Sequence, residues 1–475
     1  MVELSSLRKN KINLEDYHYK QDIENRLLMA QFTSVDIAVL EEILYSSIKI
    51  PVRKLAKSAD LDEKEILPIL KKLSDTGLFA FEGDSIVVDK EMRKYFENQI
   101  LKFDPDFTPG MDFLQSLLRK VPIHVLPVWY SIPRTSNNIF DSLVEKYLLT
   151  PQIFQRYLME LHFPDPILNH IVRDVFESPD LKVYGNDLIA KYELTREKFE
   201  EYLLLLEYNF ACFIGYEKIA DEWHEIVTPF HEWREYTAFL KATETPSIAT
   251  PQAVIRYRPE DFSFVHDISQ LLTLAKKQPI ELSTDKEGRF SLNAATLPLI
   301  AAKLKGWSEK DLGYLHRLIV KIRMIKLAEI VDGRLYALES ATDWLEMRPE
   351  NQGMYLHRHP LNRITNPHVP ADMITDRTLR ESEKSIVRIL NSGWVYFDEF
   401  IRGVIAPLGE DSIIMLKKLG RTWKYNLPSY KEEEVALIKA VVLDWLFEVG
   451  VTAIGTHEGK ECFCVTEYGQ SLFGR

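Results

Sequence analysis

Through much of this chain, apolar residues recur at three- and four-residue intervals, the period of helices with one buried face. Three stretches share one frame. Residues 143–161 read LVEKYLLTPQIFQRYLMEL and residues 188–206 read LIAKYELTREKFEEYLLLL, identical at 9 of 19 positions without a gap. Residues 55–73, LAKSADLDEKEILPILKKL, fit the same frame. Leu55, Leu143 and Leu188 correspond, as do Leu61, Leu149 and Leu194, then Ile66, Phe154 and Phe199, then Ile69, Tyr157 and Tyr202, and last Leu73, Leu161 and Leu206.

The frame predicts a short helix ending near Ala59, Tyr147 or Tyr192 and a second helix capped by Asp62, Thr150 or Thr195. The side-chain oxygen of each cap can accept from the free N–H groups of the first turn. Pro151 fits the first helical position, where its missing N–H costs nothing. The spacing is that of a helix-turn-helix.

The first copy has further elements. Thr33 to Ser46 predicts a preceding helix, Pro51 opens the next, and Gly77 is a C-cap. Two β-prone runs then flank Glu82-Gly83-Asp84, which reads as a hairpin and so as the wing of a winged helix. For the 188–206 copy, PDPILNHIVRDVFES supplies the preceding helix and FACFIGYEKIADEWHEIVTPF a wing. The 143–161 copy is expected to lack one.

Residues 243–263, TETPSIATPQAVIRYRPEDFS, read as a connection between domains. Beyond them a strand-like segment near Gly288, a helix over 293–305, a longer helix from Ser308 to about Lys326 and a hairpin at Asp332-Gly333 make a third unit. A second polar stretch, HRHPLNRITNPHVPAD, follows. The last unit is expected to hold helices near 380–391, 396–403, 410–419 and 431–448, then a wing turning at His457 to Gly459. The expected class is mainly α (α+β), in tandem helix-turn-helix and winged-helix units with short β-hairpin wings. Its expected parts are a first winged helix over 1–104, paired helix-turn-helix units over 105–242, a linker and third winged helix over 243–375, and a fourth over 376–475.

Composition agrees with folded domains: 475 residues, 46% hydrophobic and 27% charged. No apolar run approaches the roughly 20 residues that span a bilayer, and the polar start, MVELSSLRKNKINLEDYHYK, has no signal-peptide stretch. Three cysteines, Cys212, Cys462 and Cys464, cannot form an even disulfide framework, so a cytoplasmic location is expected. The net charge of −12 argues against attraction of DNA to the whole surface and directs attention to local basic faces.

Three such basic faces stand out, and a fourth face of opposite charge. The first copy offers Lys64, Lys71 and Lys72 on its second helix, with Arg53, Lys54 and Lys57 before it. The last unit offers Lys417, Lys418, Arg421 and Lys424 beside Trp423 and Tyr425. In the 308–326 helix, Leu312, Leu315, Ile319 and Ile322 should face the core. Arg317 and Lys321 share another face, with Arg323 and Lys326 near the end. That helix has five basic and two acidic residues, an excess of three, and is expected to be the best nucleic-acid surface. The fourth face is acidic: Glu197, Glu200, Glu201 and Glu207 suit docking to a protein partner if exposed.

Catalytic motifs are missing. Gly455-Thr-His-Glu-Gly459-Lys460-Glu461 has the wrong spacing for a phosphate loop, with Glu where a magnesium-binding hydroxyl belongs. Asp221-Glu222-Trp223-His224 resembles a helicase DExH box but has no phosphate loop to serve. Cys462 and Cys464 lack the second pair a zinc site needs, and His357 and His359 lack partner ligands. No enzyme activity, cofactor or metal is expected.

QPIELSTDKEGRFSL, DGRLYALESATDWLEMRPENQ and LDWLFEVGVTAIG with CFCVTEYGQSLF carry a resemblance over residues 270–475. This part resembles the tandem winged-helix regions that precede the motor in bacterial XPB-type DNA helicases and related stand-alone proteins. Val465-Thr466-Glu467-Tyr468-Gly469 matches that family's L-T-x-x-G ending, and Trp344-Leu345 its Trp-Leu pair after a wing. The resemblance implies contact with DNA or with transcription or repair proteins, and carries over no catalytic residue. Three functions remain open, of which two are a non-catalytic DNA-binding or transcription-associated array and a protein-interaction scaffold. An unrecognised enzyme is the third.

Overall fold

A computed structural model describes residues 8–104, 107–133, 138–220, 222–286, 288–306, 313–359, 366, 368–420 and 422–474. The protein is 53% helix, with 16% strand in small sheets, so the mainly α (α+β) class holds. Its contacts divide it into two compact units. One comprises Met1–Ala238 with Met415–Asn426, the other Phe239–Ile414 with Leu427–Arg475.

In the first unit all three repeats are helix pairs: Val52–Ser58 with Glu63–Ser74, Ile139–Leu143 (prolonged by a π-helical turn, Val144–Leu148) with Pro151–Glu160, and Gly185–Lys191 with Arg196–Tyr208. The caps act as their chemistry requires. Thr150 accepts from the Ile153 N–H and Thr195 from the Lys198 N–H, both at 3.2 Å, while Glu65 reaches back to the Asp62 N–H at 3.0 Å. The central shared apolar positions are core, with Ile66, Phe154 and Phe199 completely buried, while Leu61, Leu149 and Leu194 at the turns are half-buried.

The turns are not all alike. In the first repeat Ala59 N–H donates to Leu55 and Leu61 N–H to Ala56, around Asp60 at φ +54°. In the third, Tyr192 donates to Leu188 and Leu194 to Ile189, around Glu193 at φ +51°. Both turns thus satisfy carbonyls the helix end leaves open, through a left-handed residue. The middle repeat stays right-handed through Leu149 (φ −55°, ψ −42°) and meets its carbonyls differently, as shown below.

Both hairpins expected in this unit form. Phe79–Glu82 pairs with Ser85–Val88, which also pairs with Lys49–Pro51; Phe213–Ile219 pairs with Glu222–Thr228, which also pairs with Val183–Tyr184. The same unit contains a largely buried ionic network, in which Arg26 meets Glu200 and Glu207, Lys102 lies near Glu207, and Arg196 meets Glu200 and Glu225, with Lys120 paired to Asp22. Asp221 lies outside the described residues, and the rest of the DExH-like run is ordinary strand.

The second unit is organised on one continuous core that runs from Phe264 to Val465. Its two sheets each have four strands. One orders Phe290–Leu292, Ile280–Thr284, Arg334–Ala337 and Ala328–Val331; the other orders Val395–Tyr396, Lys460–Val465, Thr452–His457 and Ile255–Arg256. The proline-rich 243–263 stretch therefore contributes an edge strand. Glu458 and Gly459, both at positive φ, turn the last hairpin, so the near match to a phosphate loop is a β-turn. Cys462 is buried and Cys464 half-buried in that sheet. The helix expected over 293–305 shortens to Leu297–Ala301. Of the helix expected from Ser308, residues 307–312 lie outside the described residues, and Tyr314–Met324 is helical. Much of the HRHPLNRITNPHVPAD stretch lies outside them too.

Candidate nucleic-acid interface

The helix expected over 410–419 is a correction. Leu416–Leu419 is a strand, paired antiparallel with Thr422–Tyr425 and turned at Gly420 (φ +64°). Opposed residues share a face in such a pair, and faces alternate along it. Leu416 and Tyr425 are buried on one face, where Trp423 meets the Phe140 ring edge-on at 5.7 Å and Lys418 lies 3.7 Å from Asp112. On the other face, Lys417 stands directly opposite Lys424, and both are exposed. Two like charges set across a strand pair destabilise it unless an anion lies between them. Arg421 lies outside the described residues.

This hairpin is docked on the middle repeat. Leu416 N–H donates to the carbonyl of Leu149, and Tyr425 hydroxyl to that of Leu148, both at 2.8 Å. Those are the carbonyls that the middle repeat's right-handed turn leaves open. A segment expected as a helix of the last unit thus forms a hairpin that satisfies the turn of a helix pair far earlier in the chain, in the repeat expected to lack a wing.

The helix following that turn carries a polar stripe that sequence reasoning passed over. Phe154 and Tyr157 face the core of Pro151–Glu160, while Gln152, Gln155, Arg156 and Met159 are exposed. Their spacing, i, i+3, i+4 and i+7, is one face of a helix. Gln and Arg are the side chains that reach adenine and guanine edges in a major groove. A search for lysine clusters overlooks this stripe; the polar face opposite Phe154 and Tyr157 was its signal.

The remaining candidates scatter. On Glu63–Ser74, Lys64 and Lys71 are exposed and seven residues apart, on one face. Lys72 instead bonds Asp36 and the Gln31 carbonyl, both at 2.8 Å, over the Phe32 ring. Arg317 and Lys321 are a second correction. Both lie 3.4 Å from the buried carboxylate of Glu448, and Lys321 is only 7% exposed, against the Trp445 ring. Their charges are met inside the second unit, so they form no open basic face. Arg323 and Lys326 are exposed, but Lys326 (φ +56°) is already past the helix end.

The acidic docking face is a third correction. Glu200 and Glu207 are buried and bind Arg26; Glu201 is half-buried beside Lys198, and Glu197 alone is exposed. Most of Arg196–Tyr208 is core, which explains its acidity: the carboxylates pair with buried cations.

Among the described residues no group of three or more His, Cys, Asp or Glu is placed to hold a metal ion, and no helix is long and apolar enough to cross a membrane. No family model, curated protein or solved structure matches this chain.

Proposed function

We propose that this protein is a non-catalytic array of helix-turn-helix and winged-helix units that binds duplex DNA in the cytoplasm, within the class of tandem winged-helix proteins its second half resembles. The observation that carries the reading is the opposed pair Lys417 and Lys424, held on a hairpin docked at the start of a helix that exposes Gln152, Gln155 and Arg156. In a winged helix the second helix of the turn enters the major groove and phosphates are held nearby. Here the hairpin serves the middle repeat as its wing. Lys64 and Lys71 on the first repeat form a second, smaller DNA-facing patch.

The test is duplex binding across a salt series. Changing both Lys417→Gln and Lys424→Gln is expected to flatten the slope of log affinity against log salt by ~1.8, at ~0.9 for each phosphate no longer neutralised. Lys424→Glu sets a carboxylate opposite Lys417 and so favours the hairpin by ~0.2–1 kcal/mol. It is expected to weaken DNA binding while leaving the fold as stable or more so. Unchanged affinity and slope in both variants would refute the reading.

A further inference from the structure

The second unit contains a buried arginine that forms no ion pair with any described residue. Arg258 is 7% exposed, and its Nη1 is buried without a hydrogen-bond partner. Its guanidinium lies against three rings instead, 4.2 Å from the centre of Phe447, 4.7 Å from Tyr314 and 5.6 Å from Phe264. Ring faces stabilise a cation, but they offer no acceptor to the N–H groups at its edge. Arginine does not shed its proton, so burial cannot neutralise it as it would a lysine.

The cage around it is built, not incidental. Asp267, fully buried, accepts the Tyr314 hydroxyl at 2.6 Å and the Gly306 N–H at 2.7 Å, which fixes the ring over which Arg258 lies. Gly306 is needed there: a Cβ would collide with the Tyr314 hydroxyl and fall 3.1 Å from Arg258 Nε.

Arg258 lines a cleft of about 600 Å³ together with Arg317, Lys439, Tyr257, Leu443 and Phe447. The other cations there have carboxylates of their own. Arg317 and Lys321 share Glu448, and Lys439 lies 2.7 Å from Glu461. Among the described residues that line the cleft, Arg258, Arg317 and Lys439 are equal in number to Asp444, Glu448 and Glu461, so what favours an anion there is the unsatisfied guanidinium of Arg258 and not a net charge.

We propose that this cleft binds a small organic anion, its compact oxyanion seated on Arg258 and its apolar body against Tyr257, Leu443 and Phe447. Planar, two-pronged donation to such an oxyanion is what a guanidinium does best. The site is independent of the DNA reading, since it uses none of the residues on the middle repeat or its hairpin.

The test is calorimetric titration of the whole protein with benzoate, phenyl phosphate and benzylamine. Both anions carry the proposed chemistry, and whichever binds more tightly identifies the natural ligand as a carboxylate or a phosphate ester. At least one is expected to bind near or below ~1 mM, and benzylamine at least tenfold more weakly. Arg258→Met, which keeps the packing volume, is expected to reduce anion affinity at least tenfold. Lys439→Glu changes a half-exposed residue that does not test the fold and is expected to weaken it several-fold. Benzylamine binding as tightly as the anions, neither anion binding at tenfold higher concentration, or both variants retaining full affinity would overturn the proposal. So would a short single-stranded oligonucleotide that binds at Arg258 when neither anion does.

Discussion

Arg26→Met is expected to destabilise the first unit by about 3–5 kcal/mol, the loss typical of breaking a buried ion pair from one side. Arg26 is 6% exposed, with one guanidinium nitrogen 3.4 Å from Glu200 and the other bonded to Glu207. Burial disfavours its charge, yet Glu207 and Glu200 overcome this and hold its pKa well above the usual arginine value. Removing it leaves Glu207 with Lys102 at 3.9 Å and the Ile214 N–H at 3.1 Å. Lys102 is a poor substitute, because burial, opposed by Glu207, brings its pKa down to about 8. Glu200 retains Arg196 at 2.5 Å, but Arg196 is shared with Glu225 at the same distance. The loss is therefore concentrated at Glu207. Adding Glu207→Gln to Arg26→Met removes the stranded charge and should recover part of it, a coupling that a double-mutant cycle measures. Hydrogen exchange along Arg196–Tyr208 is the readout: it should accelerate by roughly two to three orders of magnitude, at ~1.4 kcal/mol per tenfold. An acceleration of less than about fivefold, under ~1 kcal/mol, would show that the network contributes little.

That network also marks what the sequence could not reveal. Caps and turns were legible because their chemistry is local: Thr150 and Thr195 each serve an N–H three residues away. The three-fold repeat was legible for the same reason, down to the completely buried Ile66, Phe154 and Phe199. Charged residues were misread wherever their partners are remote. Glu200 and Glu207 look like a solvated acidic stripe until Arg26, more than 170 positions earlier, is brought against them. Arg317 and Lys321 look like an open basic face until Glu448 arrives from the far end of the chain. Phe199, Tyr202 and Leu206 on one helix and Leu315, Ile319 and Ile322 on the other are buried as expected, Leu312 lying outside the described residues, and the flanking charges turned inward beside them. The 410–419 segment failed in another way. Its apolar residues suit a helix, but Leu416 finds a carbonyl at Leu149 and the strand finds Thr422–Tyr425, so the extended form satisfies its backbone groups. The candidate interface was half legible: Lys417 and Lys424 were marked, while the repeat they serve and its Gln152, Gln155 and Arg156 were not.

Glu232→Gln is expected to stabilise the first unit at pH 8 by about 3 kcal/mol and to change little at pH 5. Glu232 is 3% exposed and lines a cleft of about 440 Å³. One of its oxygens accepts the Met111 N–H at 3.0 Å, at the start of the Met111–Leu118 helix; the other is buried without a hydrogen-bond partner. Burial is the main cause that pushes its pKa up, from 4.5 to about 7. The Met111 and Glu232 backbone N–H groups oppose the rise, and the nearby carboxylates of Glu235 and Asp112 add to it. The sign follows directly. A carboxyl whose pKa is higher folded than unfolded favours the fold fully below pH 4.5, and that contribution is lost as pH rises through about 7. At ~1.36 kcal/mol per pH unit, the interval from 4.5 to about 7 corresponds to about 3 kcal/mol. Glutamine keeps the acceptor for Met111 and carries no charge to desolvate, so it escapes the loss. Glu225, also raised by burial, gives the parent protein a similar slope of its own, and comparing parent with variant cancels it. Thermal melts of both proteins at pH 5 and pH 8 decide the matter. Equal shifts at the two pH values would mean that Glu232 is ionised in the fold throughout, held by groups other than the Met111 amide.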